Sequence, residues 1–180
     1  MPIRFAVEQA QWVEAASISP PAGAPLQVIA LAIWARGLGL VHDGKPDEAQ
    51  AEADKLQDLE DHLRTEQQEY WSVRTGILKN EILGWISEAN GDPRRAASLL
   101  HACADQEDAI EKLPVTPGPI FPAREQLGSL LLEQHRPALA LKEFRIALAN
   151  APGRRSALEG LSRSVSAVSN GKRITTPKEP

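Results

Sequence analysis

The sequence predicts an all-α fold assembled from antiparallel helical hairpins, and three observations carry that expectation. Prolines and glycines punctuate the chain where helices should begin and end. No run of alternating β-branched residues is present to make a strand. Small residues return at near-constant intervals, at points where two helices would cross. The 180 residues are 42% apolar and 24% charged, an ordinary balance for one globular domain. Only 4% are aromatic, so the core must be built from Leu, Ala, Val and Ile, which suits closely packed helices.

Taken in order, the first helix falls over 3–9, where Ile3, Phe5 and Val7 supply apolar positions. A second over 11–18 carries Trp12, Ala15 and Ala16, the pattern of the second helix of a hairpin whose first helix is only about two turns long. Pro25 opens the third, over 25–43, and Gly44 closes it. Pro46 opens the fourth, 46–64; Thr65 with Gln68 has capping-box spacing and starts the fifth, 66–90, which Gly91 ends. Asp92 is the N-cap and Pro93 the first residue of the sixth, 93–112. Pro122 and Pro137 open the seventh and eighth, 122–135 and 137–150. The ninth, 154–169, precedes a polar stretch, Gly171 to Pro180, expected to be a flexible tail. The expected organisation is a partial N-terminal hairpin or cap at 1–24, a helical-repeat domain at 25–170, and the tail at 171–180.

The repeat is visible in the small residues. Gly37, Gly84 and Gly128 stand 47 and 44 residues apart, each midway along the first helix of a pair. Ala49, Ala96 and Ala140 follow them by twelve residues each. A Gly or Ala at a crossing lets two backbones approach more closely than a Leu would permit.

These residues resemble the tetratricopeptide repeat family. The best match, Pro122 to Pro152, has Leu127-Gly128 and Leu131 on its first helix, then Ala140, Phe144 and Ala147 on its second. Ala30 to Leu56 keeps Gly37, Leu40, Ala49 and Leu56, with Ala53 where a large aromatic is usual. The stretch from Ile77 keeps Gly84, Gly91, Ala96 and Leu100, with Cys103 at the later small position. The segment EDAIEKLPVTPGPIFPARE, Glu107 to Glu125, is similar to a stretch of bacterial tetratricopeptide proteins, a subgroup that implies no activity. The resemblance implies a right-handed α-solenoid. The long fourth helix departs from the family's unit, so an irregular superhelix is expected.

No catalytic constellation emerges. His101 and Cys103 are two residues apart, which on a helix points them in nearly opposite directions. Cys103 reads as an inert buried thiol. His62 and Glu66, four apart, supply two ligands where zinc needs three or four. The glycines are isolated and no P-loop Lys-Ser/Thr pair occurs. Asp105, Glu107, Asp108 and Glu111 form a charge run of the kind that solvates a helix. The expectation is therefore not an enzyme, with no cofactor and no metal.

What remains is a binding surface. In tetratricopeptide proteins ligands lie in the groove lined by the first helix of each pair. Carried over by motif position, that groove consists of Trp34, Leu38 and His42 from the first repeat, Glu81, Trp85 and Glu88 from the second, and Glu125, Ser129 and Glu133 from the third. Leu31 and Leu78 share its face. Trp34 lies in an all-apolar run, which is also what a core residue shows, and Trp85 is open to the same reading. An apolar, acidic groove implies a protein or peptide partner, basic or amphipathic. Glutamates at these positions argue against the family's capture of acidic chaperone tails. The Pro-rich link Pro114 to Pro122 is stiff; it either spans two hairpins, presents Ile120 and Phe121 to a partner, or shapes one edge of the groove.

A net charge of −4 argues against nucleic acid. Residues 43–69 hold ten acids and three bases, whereas 136–180 hold nine bases and three acids. This asymmetry suits self-association, and the alternative function is a structural or oligomerisation module forming the C-terminal part of a longer tetratricopeptide protein. The lone cysteine precludes an internal disulfide. No signal-like stretch opens the chain, and the apolar run Val28 to Ala35 is far shorter than the ~20 residues of a membrane span. A cytoplasmic, bacterial scaffold protein with no membrane partner is the expectation.

Overall fold

The computed structural model describes residues 2–110 and 118–175, with the side chains of 3–110 and 118–170. Among the described residues there are nine helices and no strand. They run α1 (Pro2–Glu8), α2 (Trp12–Ala16), α3 (Leu26–His42), α4 (Pro46–Thr65), α5 (Glu69–Ala89), α6 (Pro93–Ala109), α7 (Ala123–Glu133), α8 (Pro137–Asn150) and α9 (Arg155–Thr175). The chain divides into two compact units, Met1–Phe121 and Pro122–Pro180. Part of the proline link, 114–117, and the last part of the expected tail, 176–180, lie outside the described residues. So does Glu111 of the acidic run.

Helix starts follow the prolines. Pro46, Pro93 and Pro137 open α4, α6 and α8 from inside the first turn, where a missing N–H costs nothing. Pro25 and Pro122 stand one residue outside, at the N-caps of α3 and α7. Asp92 caps α6 by accepting from the Arg95 N–H at 3.0 Å.

Five helix ends share one device. After α3, the Gly44 N–H donates to the Val41 carbonyl and the Lys45 N–H to that of Leu40. This crossed pair is a Schellman motif, with Gly44 at φ +78°. The same pair recurs after α5 at Gly91, after α7 at His135, after α4 at Gln67 and after α1 at Ala10. The last three are not glycine, so two of the five left-handed turns were announced by composition and three were not. At residue 65 the break differs from the expected capping box. The Thr65 hydroxyl donates back to the Asp61 carbonyl at 2.9 Å, and left-handed Gln67 turns the chain.

In the first unit α3 packs against α2, α4 and α5, and α6 packs on α5. Gly39 faces the α2 backbone so closely that a Cβ there would collide with Ala15 and Ala16. A Cβ on Gly37 would meet Ile82, and one on Gly84 would sit 3.0 Å from Leu100. Ala49, Ala53, Leu56, Ala96 and Leu100 are buried beneath them. Polar links tie the layers. Arg36 of α3 meets the buried Glu52 of α4 at 2.5 Å, and Lys79 of α5 meets Glu60 of α4 at 2.7 Å. Glu52 and Glu60, two of the acids in 43–69, are thus engaged within the chain.

In the second unit α7, α8 and α9 form a three-helix cluster about Phe144. The ring of Phe144 is 2% exposed and lies over Gly128 of α7 and Gly160 of α9. Arg124 pairs with Glu143 at 2.8 Å, both buried.

Candidate functional site

The face of α3 and α5 that motif position singles out splits into two parts with different surroundings. Its first part borders a cavity of about 430 Å³, overwhelmingly apolar in its lining and contained within the first unit. From α3 the wall takes Gln27, Val28, Leu31 and Trp34; from α5 it takes Arg74, Thr75, Leu78 and Glu81. Each of the second four lies 47 residues after its counterpart in the first. The periodicity is therefore physical: two alternate helices, α3 and α5, present equivalent positions to one space, since residues three, four and seven apart share a helix face.

Trp71 extends the α5 wall by one more turn. The N-terminal segment contributes Ile3, Arg4, Ile18 and Pro21, and the far side is closed by Glu107 with Pro119, Ile120 and Phe121. Ile120 and Phe121, at the end of the proline link, thus line the cavity.

The wall is tied together by a buried hydrogen bond. Trp34 Nε1 donates to Glu81 Oε2 at 2.6 Å, with both residues 1% exposed. A buried carboxylate needs such donors, because leaving it unpaired costs several kcal/mol (on the order of 3–5). The bond sets the indole plane, and it consumes a carboxylate that the sequence counted towards an acidic groove.

The second part of the face is covered by the chain itself. Trp12 of α2 stacks on His42 with ring centroids 4.2 Å apart, and His42 meets Trp85 at 4.5 Å. Burial without compensating charge lowers the His42 pKa from 6.5 to about 4, and its Nε2 has no hydrogen-bond partner. Leu38 is fully buried, while Glu88 is half-buried towards the end of α5. Trp34 and Glu81 thus stand at the cavity, and His42 and Trp85 in an aromatic stack.

The remaining three positions lie on α7 in the second unit. Glu125 is 1% exposed and held by the Arg154 guanidinium and by the Ser156 hydroxyl at 2.5 Å. Ser129 is half-buried and Glu133 exposed.

Residues considered for chemistry take ordinary places. The Cys103 thiol is buried, donates weakly to the Ile77 carbonyl at 3.7 Å, and has its pKa pushed well up by burial and then by Glu81 and Glu107. That makes it a poor nucleophile. His101 pairs with Asp105 at 3.0 Å on an exposed face, and His62 and Glu66 are exposed. Among the described residues no group of three or more His, Cys, Asp or Glu is placed to hold a metal ion. No helix among them is long and apolar enough to cross a membrane.

Motif position missed several cavity residues on these two helices, Gln27 and Val28 on α3 and Trp71, Arg74 and Thr75 on α5 among them. The signal for Arg74 was present, because it stands 47 residues after Gln27 and four before Leu78, on the same helix face. Trp71 shares its face with Arg74, Leu78 and Glu81 at helical spacing, but its counterpart in the earlier repeat is Ala24, outside α3. No protein-family model, no curated protein and no solved structure matches the chain.

Proposed function

We propose that this chain is a non-enzymatic binding module of the tetratricopeptide-like kind, a scaffold that captures a partner protein by apolar side chains lodged in the α3–α5 cavity. The observation that carries the reading is the cavity's lining by matched positions of two successive first helices, 47 residues apart. A volume of about 430 Å³ lies within the range of working ligand sites, roughly 300–1,000 Å³. Its apolar walls, with a few polar groups among them, favour an amphipathic segment whose apolar side enters. A basic partner is less favoured than a count of glutamates implies, since Glu81 and Glu125 are held by donors of this chain.

The test is a selection of peptides from a random display library, followed by calorimetric titration of the winners. Leu78→Asp should weaken the selected peptides about tenfold or more, the value of one buried aliphatic anchor. Leu139→Asp, on an exposed position of the second unit, should leave them unchanged. Peptides that bind both variants like the wild type would overturn the reading.

A further inference from the structure

Four charged side chains line the cavity: Arg4, Arg74, Glu81 and Glu107. They balance in sign, so what distinguishes them is which still has unused hydrogen-bonding capacity. Arg4 is paired with Glu8 at 2.8 Å, Glu81 accepts from Trp34, and Glu107 has an interaction of its own. Arg74 makes no hydrogen bond or ion pair with any described residue, although it is half-buried in an apolar wall. One residue on, Thr75 is 2% exposed and lines the same cavity. The Arg74 guanidinium is thus a donor group without an acceptor, one residue from Thr75 and set beside Trp34, Trp71 and Leu78. A carboxylate satisfies it, because guanidinium is the group best matched to its two oxygens.

We infer that the cavity receives a small amphiphilic carboxylate, an alkanoate or arylalkanoate, with its head on Arg74 and its apolar body between the two tryptophans. This rests on the cavity being the binding site, as proposed above, but not on its ligand being a protein. Bound there, the small molecule would occupy the space a partner's anchor needs, so the two would compete.

Calorimetric titration of the full chain with decanoate, decanol and decylammonium tests the inference. The wild type should bind decanoate about tenfold or more tightly than decanol, the value of a charge-assisted hydrogen bond. Arg74→Gln should abolish that preference while leaving decanol affinity unchanged, and retained decanol binding shows that the variant's cavity is intact. Equal affinity for decanoate and decanol, a preference for decylammonium, or no binding of any of the three would overturn the inference. Selected peptides that depend on Leu78 while no amphiphile binds would overturn it and leave the partner reading standing. Acidic peptides that depend on Arg74, without decanoate binding, would assign the carboxylate to a polypeptide and overturn the small-molecule source. Decanoate bound through Arg74 with no peptide selected would support this inference and sink the partner reading.

Discussion

Phe144 shows most directly how single residues hold this chain. Its ring spans the gap between two glycines on different helices, so nothing else on those helices fills the space. Phe144→Ala should cost roughly 3–5 kcal/mol through the cavity it leaves, measured by urea denaturation. The reverse error should also register. Gly128→Ala places a methyl 2.7 Å from that ring and should cost about 1–3 kcal/mol by overpacking. The family spacing picked out Phe144 and Gly128, but Gly160 was silent, because no repeat register extends into α9. His42 makes a prediction of opposite character. Its folded pKa of about 4 lies below the 6.5 of the unfolded chain, so the unfolded state binds more protons between those values. Its contribution is complete above pH 6.5 and is lost as pH falls towards 4, by at most about 3 kcal/mol. His42→Phe keeps the stack, removes the unpartnered nitrogen, and should flatten the difference between stability at pH 7 and pH 4.5 relative to wild type.

At the level of elements, the five Schellman turns supply a test of sign. Gly44 and Gly91 occupy the left-handed position at no steric cost, whereas Gln67 and His135 occupy it against the preference of L-residues. Gly44→Ala should therefore destabilise by about 1 kcal/mol, while Gln67→Gly and His135→Gly should stabilise by about 0.5–1 kcal/mol. Thermal unfolding of the single variants checks both directions. The same contrast explains what the sequence revealed about helix boundaries. At Pro25, Gly44, Pro46, Gly91, Pro93, Pro122 and Pro137 the end fell within a few residues of expectation, whereas α9 runs through Gly171 to Thr175, into the stretch expected to be tail. At Thr65 a side-chain pattern stood in for those markers, and its hydroxyl satisfied a carbonyl of the preceding turn instead of the next helix. A short polar side chain has several backbone partners within reach, and spacing alone does not select among them.

Over the whole molecule, the two compact units divide what the repeat pattern joined, with α3 to α6 in one and α7 to α9 in the other. The cavity belongs entirely to the first. Its floor was legible because Leu31, Trp34, Leu78 and Glu81 obey a fixed interval. Its rim was less so, since Pro119 to Phe121 reach it through tertiary folding and no local period announces that. The acidity expected of the groove was composition read without pairing. Once Trp34 takes up Glu81 and Arg154 takes up Glu125, those charges face inward. Trp34→Phe should expose the consequence, leaving Glu81 buried without its indole donor at a cost of about 1.5–3 kcal/mol. Glu81→Gln combined with it should recover part of that loss, as a double-mutant cycle would show.

The placement of the tryptophans has an optical consequence. All four, Trp12, Trp34, Trp71 and Trp85, belong to the first unit, and so does the single tyrosine, Tyr70. Emission excited selectively from tryptophan is thus a report on Met1–Phe121 alone, with two of the emitters at the cavity wall and two flanking His42. The second unit has neither tryptophan nor tyrosine. Phe144→Ala should shift the helical circular dichroism transition without moving the emission spectrum of the folded state, and a ligand that enters the cavity should quench Trp34 and Trp71 while the Trp12–His42–Trp85 stack keeps its colour.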